Sequence, residues 1–206
     1  MKGYKVMDIS SIDLKNAETA FVCVGNGGTA CRFYAYKKEK DGYTLVFETD
    51  GYIGRGGIHP ASEKFEGDGK TPEGVYTIGE CFGNTPPPCE MKVPYTVIDE
   101  DDYWDGDSSS PSYNTHVRGS KMGKEWLEKG EYEHLIRYTN SYKYAAMINY
   151  NVSPAVPNKG SAIFLHIPSP GSTSSAGCVV IPEEYMVKAL GMITENTVIA
   201  IFKGDK

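Results

Sequence analysis

Between residues 20 and 54 the chain consists of three apolar segments that are separated by turn-forming residues. The segments are AFVCV, RFYAYKK and YTLVFETDGYIG, and the joints between them are GNGG and EKDG. Joints rich in Gly, Asn and Asp between apolar runs are typical of β-hairpins. The sequence therefore predicts consecutive antiparallel strands in this part of the fold.

Short apolar segments continue to the end of the chain. GVYTIG at residues 74–79, KYAAMINYN at 143–151, SAIFLHI at 161–167 and TVIAIFK at 197–203 all predict strands. Side chains alternate between the two faces of a strand, so Ile163 and Leu165 are expected on one face of SAIFLHI and Phe164 and His166 on the other. The 23 glycines and 15 tyrosines also favour turns and strands over long helices.

Three segments depart from this pattern. Residues 123–138, GKEWLEKGEYEHLIRY, predict an interrupted helix, and Pro182 is expected to start a second helix. Residues 86–117 are long, polar and aromatic at once, which is typical of a loop that is functional or disordered. In that loop the aromatic side chains favour the wall of a groove, and they are Tyr103, Trp104 and Tyr113.

The fold predicted from these patterns is mainly β. We expect a β-sandwich or barrel-like sheet with one or two peripheral helices. No Pro- or Gly-rich tract is long enough to be a linker, so residues 1–206 are expected to form a single domain.

Charge and hydropathy exclude several classes of partner. The chain has 21 Lys and Arg against 27 Asp and Glu, a net charge of −6, and no basic cluster, which argues against nucleic acid. No segment reaches the roughly 20 apolar residues of an integral membrane span. The first 20 residues lack an apolar core of signal-peptide length, which fits either a cytoplasmic protein or an exported one without its leader.

The five cysteines allow two interpretations. Cys23 and Cys31 flank VGNGGTA, and Cys81 and Cys89 bracket FGNTPPP, so two disulfides are conceivable. They would leave Cys178 as the odd thiol, a pattern that indicates a reactive cysteine. The alternative is four reduced, half-buried cysteines, since spacing alone does not show disulfide geometry.

The stretch FLHIPSPGSTSSAGCVVIP, residues 164–182, could place a base beside a nucleophile. An imidazole near Cys178 would favour the thiolate, which is the reactive form. Gly177 would let a substrate carbonyl approach the thiol, and the main-chain N–H groups of Gly177 and Cys178 could bind the oxyanion. Ser174 or Ser175 would supply the acceptor that orients His166.

The competing interpretation is structural. Free cysteines are often buried, and a histidine beside an apolar strand is commonly part of the core. A metal site is not expected, because zinc needs at least three protein ligands and no other Cys or His lies near these two in sequence.

Three motifs in order resemble one known family. GDGKTPEGVY at residues 67–76 resembles a glycine-rich turn that leads into a core strand, SAIFLHI resembles the strand that carries a catalytic histidine, and the S-x-G-C pattern ends at Cys178. YN at 113–114 and NYN at 149–151 add to the match. Together they resemble the L,D-transpeptidases, the family with a YkuD-like catalytic domain, from about residue 20 to the C-terminus.

The resemblance implies an enzyme of the bacterial cell wall, outside the cytoplasm. Family members attack a peptidoglycan stem peptide through a cysteine, release a D-amino acid, and pass the thioester-bound acyl group to an amine or to water. By position Cys178 is the nucleophile, His166 the general base, Ser175 the Ser/Thr whose main chain helps orient the histidine, and Gly177 the glycine before the nucleophile. No cofactor is implied, and a monomer is expected.

Two positions depart from the family pattern. Ala176 stands where a second histidine is common, and Val180 where an arginine is frequent. Other groups must then contact the substrate, and the candidates are Tyr113, Asn114, Glu133, His134, Arg137 and Asn151. The same departures allow an alternative from another class, a catalytically degenerate wall-binding module on the same fold.

Overall fold

The computed structural model describes residues 9–204, which contain thirteen β-strands and two α-helices. The helices are α1 Lys124–Lys129 and α2 Glu183–Met192. The strands are β1 Thr19–Gly25, β2 Ala30–Glu39, β3 Gly42–Tyr52, β4 Ile58–Pro60, β5 Thr71–Gly83, β6 Tyr95–Val97, β7 Asp102–Asp105, β8 His116–Arg118, β9 Tyr132–His134, β10 Ala145–Ile148, β11 Phe164–His166, β12 Val179–Val180 and β13 Thr197–Lys203.

Eight strands form a closed barrel. Hydrogen-bonded neighbours follow the order β10, β11, β12, β3, β2, β1, β13 and β5, and β5 pairs again with β10. The pairs β1–β13 and β11–β12 are parallel, and the other pairs of the ring are antiparallel. Closure leaves no free edge within the ring, which protects the main-chain hydrogen bonds. The mainly β, barrel-like expectation is confirmed.

Apolar side chains that alternate between the two faces of the strands fill the inside of the barrel and also pack on its outside. In β1, Phe21 and Cys23 belong to the principal core, whereas Ala20 and Val22 pack on the opposite face with Leu14. On the principal side α2 adds three buried side chains, Met186, Ala189 and Leu190. A fully buried side chain of the size of Phe or Leu contributes about 1.5–3 kcal/mol through loss of apolar surface.

A second, smaller sheet lies between β6 and β10 in the sequence. Its order is β8–β7–β9, with both pairs antiparallel. The buried indole of Trp104 on β7 meets the ring of Phe164 on β11 edge to face, with 4.9 Å between the centroids. The small sheet is thereby packed against the barrel strand that ends at His166.

Two element predictions were wrong in this region. Residues 123–138 are not one interrupted helix: α1 ends at Lys129, Gly130 adopts a left-handed conformation with φ 69°, and the chain continues as strand β9. Residues 86–117 are not one long loop, because they contain β6, β7 and the first residues of β8. Glycine readily adopts a positive φ and so ends a helix that the apolar spacing alone would continue.

The disulfide interpretation is also corrected, since all five cysteines are free. Cys23 pairs in register with Phe33, and Cys31 pairs with Gly25, so the two thiols lie diagonally rather than opposite each other. Cys81 is buried in the barrel core, while the Cys89 thiol points to the carbonyl oxygen of Val187 at 3.7 Å. The alternative of reduced cysteines is the correct one, and three of these four are fully buried.

Candidate active site

A cavity of about 610 Å³ lies between the barrel and the small sheet, and it is lined by both Cys178 and His166. His166 is the last residue of β11, and Cys178 directly precedes β12. The parallel register pairs Leu165 with Val179, so Cys178 lies beside Phe164, two residues before His166. Residues two apart on a strand share a face, and the fold therefore brings the thiol and the imidazole to the same side.

The Cys178 thiol is held by main-chain groups. Its S–H donates to the carbonyl oxygen of Ala162 at 3.3 Å, and its sulfur accepts from the N–H of Phe164 at 3.4 Å. Burial, with a smaller contribution from the negative charge of Glu133, raises the pKa of Cys178 to about 12. The resting thiol is thus protonated at neutral pH.

His166 is oriented by its neighbour in the chain. Its Nδ1 lies 2.8 Å from the carbonyl oxygen of Ile167. A carbonyl only accepts, so Nδ1 carries the proton and Nε2 keeps a free lone pair. Burial lowers the pKa of His166 to about 4, in spite of this hydrogen bond. The expectation that Ser174 or Ser175 supplies the orienting acceptor was wrong.

Ser175 instead closes the turn that precedes Cys178. Its hydroxyl donates to the carbonyl oxygen of Cys178 at 2.6 Å and accepts from the N–H of Gly177 at 3.1 Å. The N–H of Gly177 is therefore occupied, contrary to its expected part in an oxyanion hole. Within residues 9–204 the N–H of Cys178 has no hydrogen-bond partner, so it is the free donor beside the thiol.

Gly177 is required by packing rather than by substrate access. Its φ is +148°, and a Cβ at this position would lie 2.9 Å from the carbonyl oxygen of Lys70 and 2.9 Å from Cδ1 of Ile163. Its own carbonyl accepts the Thr71 hydroxyl at 2.8 Å, and the same hydroxyl accepts from the N–H of Gly54 at 2.9 Å. The expected room for a substrate carbonyl is filled by protein.

A buried ion pair holds the turn that touches Gly177. The Lys64 ammonium lies 2.7 Å from the Asp68 carboxylate, and it also donates to the carbonyl oxygen of Lys70 at 2.8 Å. Asp68 accepts from the N–H groups of Lys70 at 2.9 Å and of Phe65 at 3.1 Å. Burial opposes ionisation, but these contacts outweigh it and keep the pKa of Asp68 below its usual value.

Sequence reasoning missed Lys64 and Thr71. Thr71 lies within the quoted motif GDGKTPEGVY, but Gly177, its partner, is 106 positions away. Lys64 precedes that motif, and no sequence pattern marked it as a site residue.

Glu133 is the one predicted substrate contact that lines this cavity. It lies on β9, and its Oε2 accepts the hydroxyl of Tyr142 at 2.5 Å. Burial, with a further contribution from the charge of Glu66, raises the pKa of Glu133 to about 7. The Tyr142 ring also meets the imidazole of His166 edge to face, with centroids 5.5 Å apart. No sequence pattern marked Tyr142 as a site residue. In the structure it contacts Glu133 through its hydroxyl and His166 through its ring.

Tyr113 and Asn114 line a second cavity of about 690 Å³, which shares Trp104 with the first. The buried Asn114 amide donates to the carbonyl oxygens of Tyr150 at 3.0 Å and Asn151 at 2.9 Å. Its side-chain oxygen accepts from Trp104 Nε1 at 2.9 Å and from the N–H of Ala162 at 3.0 Å. These contacts use the whole side chain to hold the segment that leads to β11.

The other three candidates do not line the first cavity. His134 stacks on Tyr103 with centroids 4.2 Å apart, and the side chain of Asn151 donates to the carbonyl oxygen of Gly160 at 2.9 Å. Arg137 is exposed at the end of a short 3-10 turn. As substrate contacts all three stay predictions.

Among residues 9–204 no group of three or more His, Cys, Asp or Glu is arranged to hold a metal ion. Over the same residues no helix is both long and apolar enough to cross a membrane.

A family model described as the L,D-transpeptidase catalytic domain, YkuD, matches residues 20–201. The chain belongs to this family. The match covers the barrel from β1 to β13 and both sides of the cavity, and it confirms the resemblance drawn from the sequence motifs.

Solved structures of low identity were also found for this L,D-transpeptidase-family chain. One is a structure of Bdellovibrio bacteriovorus Bd1075, 18% identical, with a TM-score of 0.45, covering 89% of this chain and 47% of that one. Another is the Ldtfm–avibactam carbamoyl enzyme, 16% identical, with a TM-score of 0.42, covering 91% of this chain and 50% of that one. The chain thus spans about half the length of each. No curated protein is similar enough to count as a relative.

Proposed function

We propose that this chain is a cysteine-dependent peptidoglycan L,D-transpeptidase. The observation that carries the proposal is the shared cavity, in which Cys178 and His166 lie on the same face of adjoining parallel strands. A nucleophile and a base in one substrate-sized cavity are the minimum for acyl transfer. Membership of the family supports the choice of a stem peptide as the acyl donor.

The proposed reaction starts from the neutral pair. As the sulfur of Cys178 attacks the peptide carbonyl, its proton passes to the free Nε2 of His166. The carbonyl oxygen becomes an oxyanion, and the N–H of Cys178 is the free donor that would stabilise it. The C–N bond then breaks, the imidazolium gives its proton to the leaving D-amino acid, and a thioester remains on Cys178. An amine, or water, releases the acyl group.

The protein would act where peptidoglycan lies, in the periplasm or the cell wall. It would act as a monomer and without a cofactor, with stem peptides rather than nucleic acid as its partners. Ser175 and Gly177 would keep the nucleophile in place through the turn that they form.

Intact-mass spectrometry tests the proposal. The protein is mixed with a purified tetrapeptide muropeptide, and we expect a mass gain equal to the mass of the muropeptide minus that of the one D-amino acid released. Cys178→Ala should abolish both, and His166→Ala should slow acylation by about 100-fold or more, the usual contribution of a general base. The control is His59→Ala, a partly exposed histidine beside Glu63.

The wall-binding module is the second candidate, and Ala176 and Val180 favour it, because neither can supply a polar contact. A muropeptide that binds the wild-type protein without forming an adduct or releasing a D-amino acid would leave only this alternative.

A further inference from the structure

The cavity contains a carboxyl group opposite the Cys178–His166 pair. Cys178 and His166 belong to the barrel, whereas Glu133 belongs to β9 of the small sheet, and all three line the same space. We propose that Glu133 receives the acceptor amine and takes its proton in the second half of the reaction. This inference rests on the proposed function and adds a catalytic residue to it.

The contacts of Glu133 leave it available for a ligand. Its one hydrogen bond within residues 9–204 is the Tyr142 hydroxyl on Oε2. The titratable groups that interact with its carboxyl are Glu66, Tyr138, Tyr142 and Cys178. None of them is a cation, so no ion pair neutralises Glu133.

The charges that line the cavity favour an ammonium group near Glu133. Lys64 is the one lysine or arginine among the lining residues, and its ammonium is paired with Asp68 at 2.7 Å. Glu66 accepts the Tyr113 hydroxyl and adds a second negative charge to the lining of the cavity, where it interacts with Glu133. A cationic amine is therefore attracted to this part of the cavity, whereas a carboxylate is repelled by it.

The second half-reaction needs a proton acceptor for the amine. An alkyl amine has a pKa of about 10.4 and arrives as an ammonium, which cannot attack. Glu133 as a carboxylate takes one proton and becomes a carboxylic acid. The neutral amine nitrogen then attacks the thioester carbonyl, the C–N bond forms and the C–S bond breaks.

The remaining proton on the nitrogen passes through His166 to the sulfur of Cys178, and Glu133 returns its own proton to water. The atoms and charges balance: an ammonium and a thioester give an amide, a thiol and one released proton. Burial raises the pKa of Glu133 to about 7, which suits a group that both takes and returns a proton near neutral pH. His166, with its pKa lowered by burial to about 4, is poorly suited to take a proton from an ammonium.

The test uses Glu133→Gln, which keeps the size and an oxygen acceptor for Tyr142. The tetrapeptide muropeptide serves as donor and as amine-bearing acceptor, and the ratio of cross-linked dimer to hydrolysed tripeptide is measured. We expect this ratio to fall by about 100-fold in the variant. The control is Glu131→Gln at the mouth of the cavity, where the carboxylate is already paired with Lys129 at 3.3 Å.

A second readout separates catalysis from structure. The negative charge of Glu133 contributes to the raised pKa of Cys178, so removing it should speed alkylation of Cys178 by iodoacetamide. Acylation by the donor should be at least as fast as in the wild type. One substitution is thus expected to act in opposite directions on the two halves of the reaction, which a loss of folded structure cannot do.

Three outcomes would overturn the inference. They are an unchanged dimer-to-tripeptide ratio in Glu133→Gln, an equal loss of acylation and transfer in that variant, and a wild-type protein that yields tripeptide alone. If the wild type forms no acyl-enzyme at all, the proposed function itself fails, and this result is distinguishable from the other three.

Discussion

Cys178 and His166 rest as a neutral thiol and a neutral imidazole, because both are buried. Burial raises the pKa of the thiol to about 12 and lowers that of the imidazole to about 4. Enclosure disfavours the charged form of either group when no opposite charge is beside it. In the proposed reaction the thiolate therefore forms only while its proton moves to His166, and unspecific alkylation of the resting protein should be slow.

The position of Cys178 depends on Gly177, and we expect Gly177→Ala to destabilise the fold by about 2 kcal/mol or more. The added Cβ would be strained at φ +148° and would lie 2.9 Å from the carbonyl oxygen of Lys70. Urea denaturation measures the change in the free energy of unfolding, and acyl-enzyme formation should fall with it.

The matched control is Gly123→Ala, since Gly123 has φ −75° and open space around its Cα. Its effect should stay within about 0.5 kcal/mol, as for most surface substitutions. If the two variants unfold at the same urea concentration, Gly177 is not constrained by the turn at Lys70.

The motif around Cys178 was sufficient to place the thiol and His166 in one cavity, but not to find what holds them. Ile167 orients the imidazole through its main-chain carbonyl oxygen. Every residue carries this group, so the sequence does not mark which one acts here. Thr71 and Gly177 are joined across 106 positions, and no local pattern shows such a contact. Long-range partners of this kind are visible only in the folded chain.

At the scale of elements, alternation of apolar and polar residues was a reliable guide to the strands. β11 and β13 fall within predicted segments, and β1, β2 and β3 contain or overlap theirs and extend one or two residues beyond them. Glu133 was placed on a helix, because the spacing of Trp126, Leu127 and Leu135 is compatible with one. The left-handed Gly130 breaks that pattern, and the correction matters, because as part of β9 Glu133 lines the cavity.

A half-buried histidine, His116, joins the small sheet to the barrel. His116 on β8 lies 2.9 Å from Glu80 on β5 through Nδ1 and 2.9 Å from Asp102 on β7 through Nε2. Burial lowers the pKa of His116, but the hydrogen bonds and charges of Glu80 and Asp102 outweigh it and raise the pKa above its usual value. Burial raises the pKa of Glu80, but the hydrogen bond and the charge of His116 outweigh burial and lower this pKa overall.

The stabilisation by the contact between His116 and Glu80 should therefore weaken both at alkaline and at acidic pH. A histidine whose pKa is raised by folding stabilises fully below the pKa of the unfolded state and loses this effect as the pH rises through the folded pKa. A carboxyl whose pKa is lowered stabilises above its unfolded pKa and loses the effect as the pH falls through the folded pKa. We expect His116→Gln to cost about 2 kcal/mol near pH 6 and less at about pH 9.

Denaturant unfolding of both proteins across this range measures the difference. His59→Gln is the control, because His59 is a third exposed and 3.6 Å from Glu63. A difference for His116→Gln that does not change with pH would show that folding leaves the pKa of His116 unchanged.

At the scale of the whole molecule, closure of the barrel joins strands that are far apart in sequence. β5 pairs with β10 across about a third of the chain, and β1 pairs with β13 across most of it. Local patterns gave the strands but not this order, because register between distant strands is decided by packing in the closed core. The shared core is also why we propose that the barrel and the small sheet are one domain.

This proposal predicts that both parts unfold in a single transition. Both tryptophans of the chain lie with the small sheet, Trp104 on β7 and Trp126 on α1, so tryptophan fluorescence reports on that part. Far-UV circular dichroism reports mainly on the barrel. Trp104 packs on Phe164 of β11, and Asn114 accepts a hydrogen bond from the N–H of Ala162 in the segment before β11. The two signals should therefore have the same urea midpoint.

The Trp126→Phe variant sharpens this test, since it leaves Trp104 as the one fluorescent indole at the contact with the barrel. A fluorescence midpoint clearly below that of circular dichroism, in the wild type and in the variant, would mean that the small sheet opens first. The wall that carries Glu133 would then be an independent lid over Cys178 and His166, rather than part of one rigid cavity. Coincident midpoints would instead show that the cavity persists as long as the barrel is folded.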